Sequence, residues 1–153
     1  RVTAVALFLC AVKRDMCYNM IEIYLAFRGG LMCALVELSD GKYVAEIKHK
    51  YIENIIKQAA KCKNIKRIML FGSALEERCQ ESSDIDIAVF GESPKGKYLK
   101  SKEFKDFQRA LFIYGDAFAQ DYDILYFCEG IDYDDAIIKD IENGAEIYRR
   151  KIA

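Results

Sequence analysis

The chain sets 23 lysines and arginines against 24 aspartates and glutamates over 153 residues, a formal net charge of −1, and 52% of its residues are hydrophobic. The length suits one domain with a buried core, and the near-neutral balance excludes a chain built for sequence-independent nucleic-acid binding, which needs a basic face. The six cysteines (Cys10, Cys17, Cys33, Cys62, Cys79, Cys128) form no C-x-x-C pair and the one histidine is His49; this excludes a clustered zinc site and reads as free thiols of a reducing cytoplasm, not a disulfide framework.

Residues 1–31 hold two apolar runs, 2–12 and 20–27, the second closed by Arg28-Gly29-Gly30. Residues 2–12 fall short of the roughly 20 apolar residues that cross a bilayer. One leading Arg without a clear small-residue cleavage site matches a secretory signal only loosely. Three readings stay open: an ordered N-terminal element, a membrane-associating tail, or an extension upstream of a start at Met32. The chain is therefore divided into 1–31, an N-terminal extension, and 32–153, a single domain without repeats or internal linkers.

A helix is predicted over 44–60, because Val44, Ile47, Tyr51, Ile55 and Ala59 recur at spacings of three and four. Lys48, Lys50, Glu53 and Lys57 fall on its other faces, and His49 on the solvent side. Ser39 or Asp40 would cap its start and Asn64 would end it.

Residues 65–90 organise the rest. Ile68 to Phe71 are apolar throughout, as in a strand buried on both faces. Gly72-Ser73 ends that strand; the glycine permits a sharp turn and a close backbone approach to a ligand. Ser73 then stands where a short helix would begin, so its N–H and hydroxyl can face a phosphate. A second strand follows over 84–90, and the period of two puts Asp84, Asp86 and Ala88 on one face. Two neighbouring carboxylates repel unless a cation lies between them, and paired oxygen donors suit Mg²⁺.

Residues 91–100 read as a loop by their Gly and Pro content. Its lysines, with Lys102 and Lys105, are the most basic stretch of the chain; they either reach phosphates or a partner's acidic surface, or form a solvated face. A helix over 101–118 carries the stripe Phe104, Phe107, Leu111, Tyr114 and Phe118, which reads as core, with Gly115 shortening it. Residues 121–127 read as a strand whose Asp121, Asp123 and Leu125 share a face. Residues 134–150 read as a helix through Ile138, Ile141, Ala145 and Tyr148. Asn143-Gly144 leaves a second reading open, in which 145–148 is a short strand.

Gly72-Ser73, ten residues and Asp84-x-Asp86, set in a strand–turn–strand context, resemble the signature of the DNA polymerase β-like nucleotidyltransferase superfamily. The likeness is greatest to its small "minimal nucleotidyltransferases", many of which are partnered with HEPN-domain toxins, and it extends over 44–148. It implies an α+β fold: a small mixed β-sheet with helices packed on one side. It implies Mg²⁺-dependent transfer of a nucleoside monophosphate, AMP from ATP, to an acceptor hydroxyl. Asp84 and Asp86 would bridge two Mg²⁺ ions, Asp123 would be the third carboxylate on the acceptor side, and Gly72 and Ser73 would hold the departing phosphates.

The chain departs from the family pattern after Gly72-Ser73. Family members commonly continue with an Arg-rich, Gly-containing turn; Ala74-Leu75-Glu76-Glu77-Arg78 stands here instead and sets two glutamates near the phosphate turn. A template-copying member would need a basic groove, so a nucleic-acid template is not expected. Three acceptor readings remain. The first is a HEPN-type toxin protein, giving an antitoxin; the second is a small molecule of the aminoglycoside kind. The third is no acceptor at all, the fold serving as a non-catalytic toxin-binding module. A cytoplasmic location without a membrane partner is expected, and self-association stays open.

Overall fold

A two-stranded sheet, a four-stranded sheet and helices make up residues 32–38, 41–113, 120–133 and 136–151, the part of the chain that the computed structural model describes. The readings of residues 1–31, of the Ser39 and Asp40 side chains, of Cys10 and Cys17, and of Tyr114, Gly115 and Phe118 lie outside the described residues.

Strands β1 (Leu35–Glu37) and β2 (Tyr43–Ala45) form an antiparallel hairpin, with Val36 opposite Val44. Val44 and Ala45 therefore open no helix, contrary to the periodicity reading. Helix α1 (Glu46–Ala59) starts directly after them with Ala45 at its N-cap and no side-chain cap. It ends with Ala60 at the C-cap, not at Asn64. Its buried stripe is also turned by one residue: Lys48, Ile52, Ile55 and Ala59 face inward, while Ile47 and Tyr51 are only half-buried. Apolar residues at 44, 47 and 51 and at 52, 55 and 59 fit two overlapping helical registers, and packing against the sheet selects the second.

The four-stranded sheet has the order β5-β4-β3-β6. Its strands are β3 (Ile65–Phe71), β4 (Ile85–Gly91), β5 (Tyr122–Cys128) and β6 (Ala145–Arg149). β3 pairs antiparallel with β4 and β6, whereas β4 and β5 run parallel. The sheet is thus mixed, as the resemblance implies. Between β4 and β5 the chain crosses over through a short helix α2 (Lys95–Tyr98) and helix α3 (Lys102–Phe112). The expected loop at 91–100 is in part helical because Tyr98, at 2% exposure, anchors it against the rings of Phe104 and Tyr126. Ser101 caps α3, its hydroxyl accepting the Phe104 N–H at 3.1 Å.

One face of the sheet packs Ile68, Leu70, Ile85, Ile87 and Val89 against α1 and against Phe104, Phe107 and Leu111 of α3. The aromatic stripe of α3 is core, as its rhythm predicts. The other face carries Met69, Phe71, Ala88 and Phe90, and the short helix α4 (Ala136–Glu142) lays Ile138 and Ile141 on it. Ile68–Phe71 of β3 and Ile87–Phe90 of β4 are buried on both faces, which is why these stretches are apolar throughout.

After α4 the chain turns at Gly144, where a Cβ would overlap the carbonyl oxygen of Leu70. It then becomes strand β6, so the helix predicted over 134–150 stops at Glu142 and the alternative short strand is the one formed. Antiparallel pairing with β3 decides this, Leu70 lying opposite Ala145 and Ile68 opposite Tyr148. Among the described cysteines, Cys33, Cys62, Cys79 and Cys128 are free thiols.

Candidate active site

The sheet topology brings together what lies far apart in sequence. β3 ends where β4 begins, and β5 runs parallel to β4, so one end of the sheet collects the C-terminus of β3 and the N-termini of β4 and β5. In that register Phe71 is opposite Asp86, and Asp86 is beside Asp123. Neighbouring strands run about 4.8 Å apart, closer than the about 6.7 Å between residues i and i+2 along one strand. Asp123 is therefore a nearer neighbour of Asp86 than Asp84 is. Both side chains lie on the sheet face of Ala88, Phe90, Leu125 and Phe127, away from α1 and α3.

Asp84 does not lie in the strand as expected. β4 starts at Ile85, and Asp84 is an exposed residue on the loop that enters it. Its charge still reaches the site. The half-buried Asp86 carboxyl is pushed above the ordinary aspartate range, first by burial, then by the charge of Asp123 and then by that of Asp84. Among the described residues no Lys, Arg or His forms an ion pair with any of the three.

Nor do three His, Cys, Asp or Glu side chains converge into a closed metal cage among the described residues. The donor set is an in-register pair, Asp86 and Asp123, with Asp84 at its rim. A pair of hard oxygen donors whose repulsion no protein cation relieves fits Mg²⁺, which binds through one or two carboxylates and keeps water or substrate phosphates as its remaining ligands.

Gly72 opens a 3-10 turn (Gly72–Leu75) with φ +73°, a left-handed conformation that favours glycine. A Cβ there would overlap Asp86 Oδ2 and lie 3.1 Å from Asp86 Cγ. The sequence reading gave this glycine to the approach of a ligand; the group that approaches it here is Asp86 itself. Ala74, fully buried, pins the turn, and Ser73 next to Gly72 stays partly exposed.

The two glutamates after the turn are not equivalent. Arg78 donates through Nε and Nη2 to the Glu76 carboxylate, holding it below the ordinary range. Only Glu77 is left with an unpaired charge, and its backbone carbonyl accepts the Cys33 N–H at 2.6 Å.

The lysines of residues 95–100 sit beyond the opposite end of β4. From Asp86 to Gly91 that strand runs about 17 Å. Lys95, Lys97 and Lys100 are exposed there, far from the carboxylates, which favours the solvated reading over phosphate contact.

Two further residues at the site escaped the sequence reading. Lys48, assigned to an outer face of α1, is 1% exposed. Its Nζ donates to the carbonyls of Glu81 (2.8 Å) and Ser83 (2.6 Å) and to Gln120 Oε1 (2.6 Å). Burial lowers its pKa, while Cys79, Asp84, Glu81 and Cys33 favour its charged form. Gln120, 7% exposed, donates in turn to the carbonyls of Ser83 (2.9 Å) and Asp121 (2.8 Å). A signal for Lys48 existed: 48, 52, 55 and 59 continue one helical stripe, so the lysine interrupts an otherwise apolar face. Gln120 carried none.

A family model described as "Polymerase beta, Nucleotidyltransferase" matches residues 53–152, well over half of the chain and all of the motif from Gly72 to Asp123. No curated protein matches the chain. No helix among the described residues is long and apolar enough to cross a membrane.

Proposed function

Because the chain belongs to the polymerase beta nucleotidyltransferase family, we propose that it transfers a nucleoside monophosphate, AMP from ATP, to an acceptor hydroxyl with the help of Mg²⁺. The observation that carries this reading is the in-register placement of Asp86 beside Asp123 next to the Gly72 turn. Nucleotidyl transfer is mostly positioning and charge neutralisation, so few residues need to do chemistry. Asp86 and Asp123 would hold Mg²⁺, with Asp84 completing the acidic rim. When bound, the cation supplies a counter-charge for the phosphates and for the oxygens that attack and leave.

Asp123, the more exposed of the pair, would face the acceptor, orient its hydroxyl and take its proton. Gly72 and Ser73 would receive the departing phosphates along the backbone of the turn. For the acceptor we favour a protein side chain, on a HEPN-type toxin whose modification would make this chain an antitoxin. That choice rests on the resemblance to small nucleotidyltransferases with such partners. The unpaired Glu77 at the phosphate turn favours one second reading, a contact-only module that neutralises the toxin without chemistry.

Labelled ATP, Mg²⁺ and a co-purified partner separate the two. Radiolabel on the partner is the expected result, lost on chelation with EDTA. A partner that is inhibited and unlabelled would decide for contact alone.

A further inference from the structure

A fully buried lysine is costly unless every proton of its ammonium is bonded. Lys48 meets that condition without a carboxylate: its three acceptors are two backbone carbonyls and one amide oxygen. A methionine would fill the same place in the α1 stripe at lower desolvation cost. What the lysine adds is a grip on two chain segments at once.

Those segments are the entries to the two carboxylate strands. Ser83, whose carbonyl accepts from both Lys48 and Gln120, immediately precedes Asp84. Asp121, whose carbonyl accepts from Gln120 Nε2 and from the Ile85 N–H at 3.0 Å, stands one pleat before Asp123. Gln120 uses both ends of its amide, one towards Lys48 and the other towards the two loops.

We propose that Lys48 and Gln120 form a positioning bridge behind the carboxylates, fixing the loop that enters β4 against the loop that enters β5 and so setting the separation of Asp84 and Asp86 from Asp123. Neither residue touches the reacting groups; both act through the backbone. The inference rests on the reading that these carboxylates take a divalent cation, and a displacement of about 1 Å in such a site is enough to cost some 100-fold in rate.

The test uses the full chain with Mn²⁺ alone as probe, free Mn²⁺ being counted by electron paramagnetic resonance, and thermal melting as the check on folding. Gln120→Met removes the bridge without changing a charge, and Lys48→Met removes it together with one positive charge. Both are expected to weaken Mn²⁺ binding by about 10- to 100-fold, the scale typical of residues that orient metal ligands. Lys48→Arg keeps the charge and several donors and should recover most of the affinity.

A purely electrostatic lysine gives the opposite sign, because deleting a cation near Asp84 would tighten Mn²⁺. If Lys48→Met does not fold, Gln120→Met decides alone, since it keeps the ammonium and its two carbonyls. A folded Gln120→Met variant with wild-type Mn²⁺ affinity overturns the proposal, as does a wild-type chain that binds no Mn²⁺. A wild type that binds Mn²⁺, loses it in Gln120→Met and transfers no nucleotide leaves the bridge standing and removes the proposed reaction instead.

Discussion

Gly72 leaves no room for a side chain because the Asp86 carboxylate fills the space its Cβ would take. The turn that would receive phosphates and the carboxylate that would hold the cation are thus in contact.

Gly72→Ala should therefore act on both. The left-handed backbone costs an alanine about 1–2 kcal/mol, and the overlap with Asp86 Oδ2 should push the carboxylate away from its place beside Asp123. A lower melting temperature together with at least a tenfold loss of Mn²⁺ affinity is expected. A variant that melts lower yet binds Mn²⁺ normally would mean that Asp86 relaxes without leaving the site.

Asp86→Asn should stabilise the metal-free protein at neutral pH. The Asp86 carboxyl is raised in the folded state by burial and by Asp123 and Asp84. Above its folded pKa the native state carries a penalty that the unfolded chain does not. Below the ordinary value of 3.8 both states are protonated and the penalty is gone. This contribution should thus fall as pH rises through this window in the wild type and be missing from the Asn variant. Melting curves on either side of it, in EDTA, give the comparison, and a variant less stable than wild type at pH 7 would contradict the proposed repulsion. With Mg²⁺ and ATP, the same substitution should abolish transfer.

Asp123→Asn and Asp121→Asn form a matched pair. The first should remove transfer with a smaller effect on ATP binding, since Asp123 falls on the acceptor side. The second should be nearly silent, because Asp121 serves the site through its backbone carbonyl, which Asn retains. Transfer assays and ATP titrations on both variants check this; loss at Asp121 alone would move the third carboxylate by two residues.

A chain beginning at Met32 should fold and bind Mg²⁺-ATP. β1 is tied to the site side of the domain by Cys33 N–H to Glu77 carbonyl at 2.6 Å and by Glu46 N–H to Ala34 carbonyl at 2.8 Å. Trimming on to Lys42 removes both bonds and the partner of β2, and should lower the melting temperature by several degrees, at about 4–8 °C per kcal/mol for a domain of this order. Thermal melting of the two truncations distinguishes them; an insoluble Met32 chain would show that earlier residues complete the core.

The sequence by itself determined the local features. Ile68 to Phe71 announce a strand buried on both faces, residues 84–90 announce a second strand, Phe104, Phe107 and Leu111 announce a core helix, and Gly72-Ser73 announces a turn, because each pattern depends on neighbours in the chain. The tertiary structure alone decided three other matters. Parallel pairing of β4 with β5 made Asp123, and not Asp84, the nearest neighbour of Asp86. Pairing with β3 turned Ala145–Arg149 into a strand although its spacing also fits a helix. Packing of α1 chose between two overlapping stripes and carried Lys48 inward to carbonyls more than thirty residues away in the chain. The physical reason is common to all three. Periodicity reports which faces a segment offers, whereas the hydrogen-bond partners that satisfy a strand edge or a buried ammonium come from distant segments whose meeting only the fold arranges.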